Sequence, residues 1–127
     1  MRIVVAGAGE VGTHLAKMLS RENHEIVIID SDEERLKNLA EKCDLMALRG
    51  RVTSRRFLLE AGAGKADLFI AVTPFDDTNI VSAIMAKKLG AKFTVVRVGA
   101  NDPLSRETRD IFSGLGITVC SDISLQE

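Results

Sequence analysis

Tryptophan and tyrosine are absent, and five phenylalanines are the only aromatic side chains in 127 residues. Those five sit inside apolar segments, which leaves little to stack on nucleic-acid bases. The charges nearly cancel, with 17 basic and 18 acidic residues for a net charge of −1. Composition therefore carries no broad attraction to nucleic acid or anionic lipid, and no nucleic-acid partner is expected. No apolar run approaches the ~20 residues of a membrane span. The first apolar stretch is a short strand entering a glycine turn, not a signal peptide. Cysteine occurs twice, at Cys43 and Cys120, far apart and without a C-x-x-C spacing. Neither a zinc site nor a redox pair is suggested. In the absence of a secretory signal, both are expected to be reduced thiols of a cytoplasmic protein.

What is present is a chain that is 46% hydrophobic, which excludes disorder and suits one domain of ordinary size, residues 1–127. Short apolar runs recur at nearly even spacing: Ile3–Ala6, Glu25–Ile29, Leu45–Leu48, Leu68–Val72, Phe93–Val98 and Ile117–Cys120. They are continuous rather than alternating, as in parallel strands buried on both faces. Helical patterns separate them. Val11, Leu15, Met18 and Leu19 mark one face of the first helix. Ser31 and Glu34 read as a capping box for the second, with Leu36, Leu39 and Ala40 inward. Phe57, Leu58 and Ala61 mark a short third helix that stops at Gly62. The fourth runs over about Asp77–Leu89 with Ile80, Val81 and Ile84 inward and Gly90 as its stop. A fifth starts near Pro103 and carries Ile111 and Phe112 before Gly114. Six strands alternating with five helices predict an α/β fold, a doubly wound six-stranded parallel sheet of Rossmann type in the order 3-2-1-4-5-6.

The opening of the chain gives this architecture a purpose. Arg2-Ile-Val-Val-Ala6 runs into Gly7-Ala-Gly-Glu-Val-Gly12, and Asp30 closes the next apolar run eighteen residues after Gly12. Strand, glycine turn, helix, second strand and acidic residue together form the dinucleotide-binding fingerprint. Gly7 permits the tight turn, Gly9 leaves the backbone open to a pyrophosphate, and Gly12 lets the helix pack against the sheet. A helix starting near Glu10 aims its unpaired N–H groups at phosphate. Asp30 accepts from a ribose 2′-hydroxyl and repels a 2′-phosphate, so NAD is preferred to NADP.

In this strand order the ligand lies beyond the carboxyl ends of strands 1 and 4. Thr73, after the fourth strand, suits the second ribose or a phosphate, while Asp77 or Thr78 is read as a helix cap. At the end of strand 3, Arg49, Gly50 and Arg51 lie near the adenine half. Either arginine can stack on adenine, reach a phosphate or remain a solvated loop residue. Arg97, ending a buried strand beside the cleft, is a further candidate. His14 is read as a structural histidine. The cofactor-binding set is Gly7, Ala8, Gly9, Glu10, Val11, Gly12, Asp30, Ser31, Arg49, Gly50, Thr73 and Arg97. No catalytic residue or metal ligand is assigned. A hydride-transfer enzyme needs a proton donor or acceptor by the nicotinamide and a place for substrate, and neither is found.

Several segments also resemble one family. They are Ile3–Gly12, Ile28-Ile-Asp30, Leu59-Glu-Ala-Gly-Ala63 with Ala66-Asp67, Ala71-Val-Thr-Pro-Phe-Asp-Asp-Thr-Asn79, and Val96-Arg-Val98. This pattern resembles the amino-terminal nucleotide-binding lobe (RCK or KTN) of the TrkA family of potassium-transport regulators. The resemblance implies a non-enzymatic cytosolic subunit, at least a dimer, beneath an integral membrane potassium transporter. Binding of NAD or NADH, or alternatively ATP or ADP, would shift it between states that open or close the ion path. It further implies that Gly7, Gly9 and Gly12 hold phosphates, Asp30 the adenosine ribose, and Thr73 and Arg97 the distal half. Arg51 departs from the pattern, standing where many members carry an aspartate near adenine. The smaller carboxy-terminal ligand domain usual in the family is expected to be absent. The alternative reading is the coenzyme-binding domain of an NAD-dependent dehydrogenase without its catalytic half.

Overall fold

The computed structural model describes residues 1–99 and 106–121. Its strands are β1 (Arg2–Ala6), β2 (Glu25–Asp30), β3 (Met46–Arg49), β4 (Leu68–Ala71), β5 (Phe93–Arg97) and β6 (Ile117–Cys120). All pair in parallel, in the order β3-β2-β1-β4-β5-β6, so the expected Rossmann-type sheet is found. The helices are α1 (Glu10–Ser20), α2 (Glu33–Lys42), α3 (Arg55–Glu60), α4 (Asp76–Leu89) and α5 (Arg106–Gly114), with a 3-10 turn at Ala63–Lys65. The expected start of the fifth helix near Pro103 lies outside the described residues.

Alternation along each strand feeds two cores. Ile3 and Val5 of β1 join Ile26 and Ile28 of β2 and Ile70 of β4 beneath α1 and α2. Val4 and Ala6 join Ile29, Phe69 and Ala71 on the opposite face, under α3 and α4. Strands buried this way need apolar residues at consecutive positions, which is why they read as unbroken runs. The expectation fails for β3. It is an edge strand paired only with β2, and Met46 is 71% exposed.

Two helices also differ from expectation in ways that matter below. In α2 the cap is Asp32 rather than Ser31: its Oδ1 accepts from the N–H groups of Glu34 at 3.0 Å and Arg35 at 3.3 Å. Asp30 causes the shift, because its own Oδ1 accepts the Asp32 N–H at 2.8 Å and holds the turn one residue later. Leu36 and Leu39 are buried as expected, but Ala40 is exposed.

In α4 the inward face is Asn79, Ser82, Ala83 and Ala86, while Val81 is 46% exposed and Ile84 36%. Ile80 packs against the core as expected. At its C-terminal end the helix lies close against the 3-10 turn: a Cβ on Gly64 would come within 2.8 Å of the Leu89 carbonyl oxygen. Its start carries Phe75 at the cap position without a side-chain hydrogen bond, so Asp77 is no cap. Asp76 instead accepts the Gly99 N–H at 2.9 Å.

At the opposite end of the sheet, Asp67 ties β1 to the start of β5. Its carboxyl is held below its usual range, first by the Arg2 N–H (2.8 Å) and then by the Lys92 ammonium. The contribution is present above the ordinary carboxylate range and is lost as pH falls through the lowered value. Asp67→Asn is expected to flatten the acid arm of stability against pH, followed by far-UV circular dichroism. Gly12→Ala is expected to cost about 1–3 kcal/mol or more in urea unfolding, since its Cβ would land on the Gly7 carbonyl oxygen.

Candidate functional site

At the carboxyl end of β1 the chain turns at Gly7, whose φ of 118° favours glycine. The Gly7 N–H donates to the Ile29 carbonyl at 2.8 Å, and a Cβ there would stand 3.0 Å from the Thr73 nitrogen. Gly12 crosses directly over Gly7, bringing α1 down onto the turn. Gly9 faces open space, with nothing within 4 Å of a Cβ built on it. It caps α1 without any side-chain hydrogen bond, so the first-turn amides of α1 remain available to an anion. Glu10 lines a hollow of about 420 Å³ beside this turn, together with Ala8, Gly9, Thr13, His14, Lys17 and Arg35. Val11 turns inward and packs on the core. His14 keeps a buried Nε2 without a hydrogen-bond partner among the described residues.

Asp30 is tied to the turn. Its Oδ2 accepts the Ala8 N–H at 2.7 Å while Oδ1 holds Asp32. Each carboxylate oxygen keeps a further lone pair, so Asp30 can still receive a ribose hydroxyl. It lines a cleft of about 360 Å³ with Ser31, Arg35, Gly50, Arg51, Val52, Thr53, Thr73, Pro74, Phe75 and Thr78. The open glycine, the uncapped helix and the half-buried carboxylate suit the pyrophosphate and ribose of a dinucleotide.

Family comparison agrees with this geometry. The TrkA-N domain matches residues 3–120. The chain belongs to the TrkA-N family. It is 40% identical to the Trk system potassium uptake protein TrkA homolog of Archaeoglobus fulgidus, over 100% of this chain and 29% of that protein. The chain thus spans less than a third of the length of that curated relative. Among solved structures, it is similar to the TrkA-N domain of inner membrane protein ybaL from Escherichia coli. The TM-score there is 0.78 at 17% identity, over 94% of this chain and 85% of that one. It is also similar to the GsuK channel bound to NAD, with a TM-score of 0.74 at 16% identity, over 94% of this chain and 21% of that one. These structural likenesses support the fold.

Within this TrkA-N domain the expected residues divide. The glycine turn, Asp30, Ser31, Gly50 and Thr73 converge on the carboxyl edge of the sheet. Arg49 is exposed and extends towards Glu33, 3.5 Å away, outside the residues that line the cleft. Arg97 ends β5 outside the cleft lining too, with its buried Nε unpartnered among the described residues. Thr73 lines the cleft, but its hydroxyl donates to Asn79 Oδ1 at 2.6 Å.

Asn79 is the buried neighbour of Thr73 that sequence reading did not single out. Its Oδ1 also accepts the Thr73 N–H at 2.8 Å, and its Nδ2 donates to the carbonyls of Thr73 and Arg97, both at 2.9 Å. One buried amide thereby clamps the ends of β4 and β5. The spacing Asn79, Ser82, Ala83, Ala86 was the available signal, since small and polar residues share that helical face. Phe75 is a second omission. It is 67% exposed on the cleft wall.

Asn79→Ala is expected to destabilise the TrkA-N domain by about 1–3 kcal/mol for each buried group left unpaired, measured by urea unfolding.

Proposed function

We propose that the chain is a nucleotide-binding lobe that regulates a Trk-type potassium uptake system. It binds NAD or NADH, with ATP or ADP as the alternative ligands. The observation that carries this reading is the half-buried Asp30 carboxylate beside an uncapped helix and an open Gly9. The name of the Archaeoglobus relative supports the transport system, and the GsuK structure bound to NAD supports the ligand.

Gly7 to Gly12 hold the phosphates through backbone amides, and Asp30 orients the adenosine ribose. Thr73 lies towards the distal half, with its hydroxyl proton donated to Asn79 Oδ1. Arg97 and Arg49 would need to swing from their present positions to touch ligand.

The lobe is read as a non-enzymatic switch. The cleft lining contains no histidine, lysine or cysteine to move a proton or attack a substrate. Among the described residues no helix is long and apolar enough to cross a membrane. The partner in this reading is an integral membrane potassium transporter, supported by the name of the Archaeoglobus relative, and the lobe assembles on its cytoplasmic side as a dimer or larger. A ligand gates such an assembly only through unequal affinity for its states, with coupling of about 1–3 kcal/mol.

The absence of Trp and Tyr makes the first test simple, because adenine dominates absorbance near 260 nm when protein absorbs so little. Freshly purified chain is expected to carry or to take up NAD(H), identified by mass spectrometry after denaturation. Asp30→Asn is expected to weaken NAD binding about tenfold, the scale of one charge-assisted hydrogen bond. Absence of nucleotide binding at millimolar concentration overturns the reading, as does an unchanged affinity in the variant.

A further inference from the structure

Phe75 stands where local preference favours a different residue. It is the cap of α4, a position at which a side-chain oxygen usually satisfies the first helical amides, and it makes no such bond. Its ring is also 67% exposed, so the chain forgoes a cap and leaves apolar surface in water. Two local rules broken at one residue on a cleft wall mark a side chain that folding alone does not select. Phe93 is exposed too, but at the amino end of β5, where the sheet carries no part of this cleft.

The backbone beneath the Phe75 ring is anchored. Its N–H donates to the Thr73 hydroxyl oxygen at 3.2 Å, and its carbonyl accepts the N–H of buried Asn79 at 3.0 Å. The facing wall is the turn after β3, from Gly50 to Thr53. The two walls are tied together, because the Val52 carbonyl accepts the hydroxyl of Ser82 on α4 at 2.7 Å. Asp30 lines the same hollow. A base bonded to a ribose held at Asp30 thus enters between walls of fixed separation.

We propose that Phe75 is the stacking platform for adenine and positions the base of a nucleotide whose ribose Asp30 holds. The proposal rests on the nucleotide-binding reading above and deepens it. Adenine presents a flat π-face that covers the exposed ring. Stacking leaves the base edge open to the hydroxyls of Ser31 and Thr53, which donate or accept as it requires. Among the described residues that line the cleft, Phe75 is the aromatic one. Adenine is favoured over nicotinamide because the base bonded to the ribose at Asp30 is the one that shares its hollow.

The test is calorimetric titration of the chain and of Phe75→Ala with NAD and with AMP, with urea unfolding of both proteins as a check. Phe75→Ala is expected to weaken both ligands about tenfold, the scale of one base stacked on an aromatic ring. The urea midpoint is expected to move little, since the ring is largely exposed. Phe75→Trp is expected to keep the stack and gives a chain without tryptophan a single indole on the cleft wall. Its fluorescence is expected to change saturably with AMP and not with nicotinamide mononucleotide. Unchanged affinity for NAD and AMP in Phe75→Ala overturns the assignment. So does an indole that responds to nicotinamide mononucleotide and not to AMP. Should Phe75→Ala fail to fold, the indole titration alone decides. Failure of the unsubstituted chain to bind NAD or AMP overturns the nucleotide reading itself.

Discussion

Backbone packing at Gly7 is the constraint from which the carboxyl edge of the sheet is built. Its N–H reaches β2 at Ile29, its Cα stands against the Thr73 nitrogen after β4, and Gly12 of α1 lies over its carbonyl. Three strands and one helix therefore meet at a residue with no side chain. A larger residue at Gly7 would press on Thr73 after β4, and one at Gly12 would lift α1 off the turn. The same closeness brings the start of α1 to the mouth of the cleft, where its free amides face outward. Packing and ligand geometry thus share one cause.

Asp30 and Asn79 extend that arrangement to either side. Asp30 bridges the glycine turn to the start of α2, so the carboxylate that suits a ribose also sets where α2 begins. Asn79 joins the ends of β4 and β5 through a single buried amide. Buried polar groups hold such positions only when their hydrogen bonds are made, and Asn79 satisfies both its oxygen and its nitrogen. The cleft is consequently walled by loops anchored to strands on both sides.

Much of this was legible beforehand for physical reasons. Parallel strands buried on both faces leave unbroken apolar runs, and a phosphate turn leaves glycines at a fixed spacing. The errors occurred where side chains answered to neighbours distant in sequence. Val81 and Ile84 follow helical spacing inward, yet the buried face of α4 is Asn79, Ser82, Ala83 and Ala86, with Ile80 packed beside it. Ser31 and Glu34 form a plausible capping box until Asp30 pulls the Asp32 N–H and moves the cap. Arg49 and Arg97 end their strands at the correct edge of the sheet, but end position says nothing about where a long side chain goes.

Local periodicity and the glycine spacing by themselves determined the α/β class, the strand order and the position of the phosphate turn. These depend on backbone geometry and on which faces must be buried, and both are written into neighbouring residues. The family followed from motifs of the same local kind. Tertiary structure alone decided that Asn79 is the clamp, that Thr73 has its hydroxyl engaged, and that Arg49 extends towards Glu33 outside the cleft lining. Each of those outcomes depends on hydrogen-bond partners or packing surfaces supplied by another part of the chain, which no local pattern encodes.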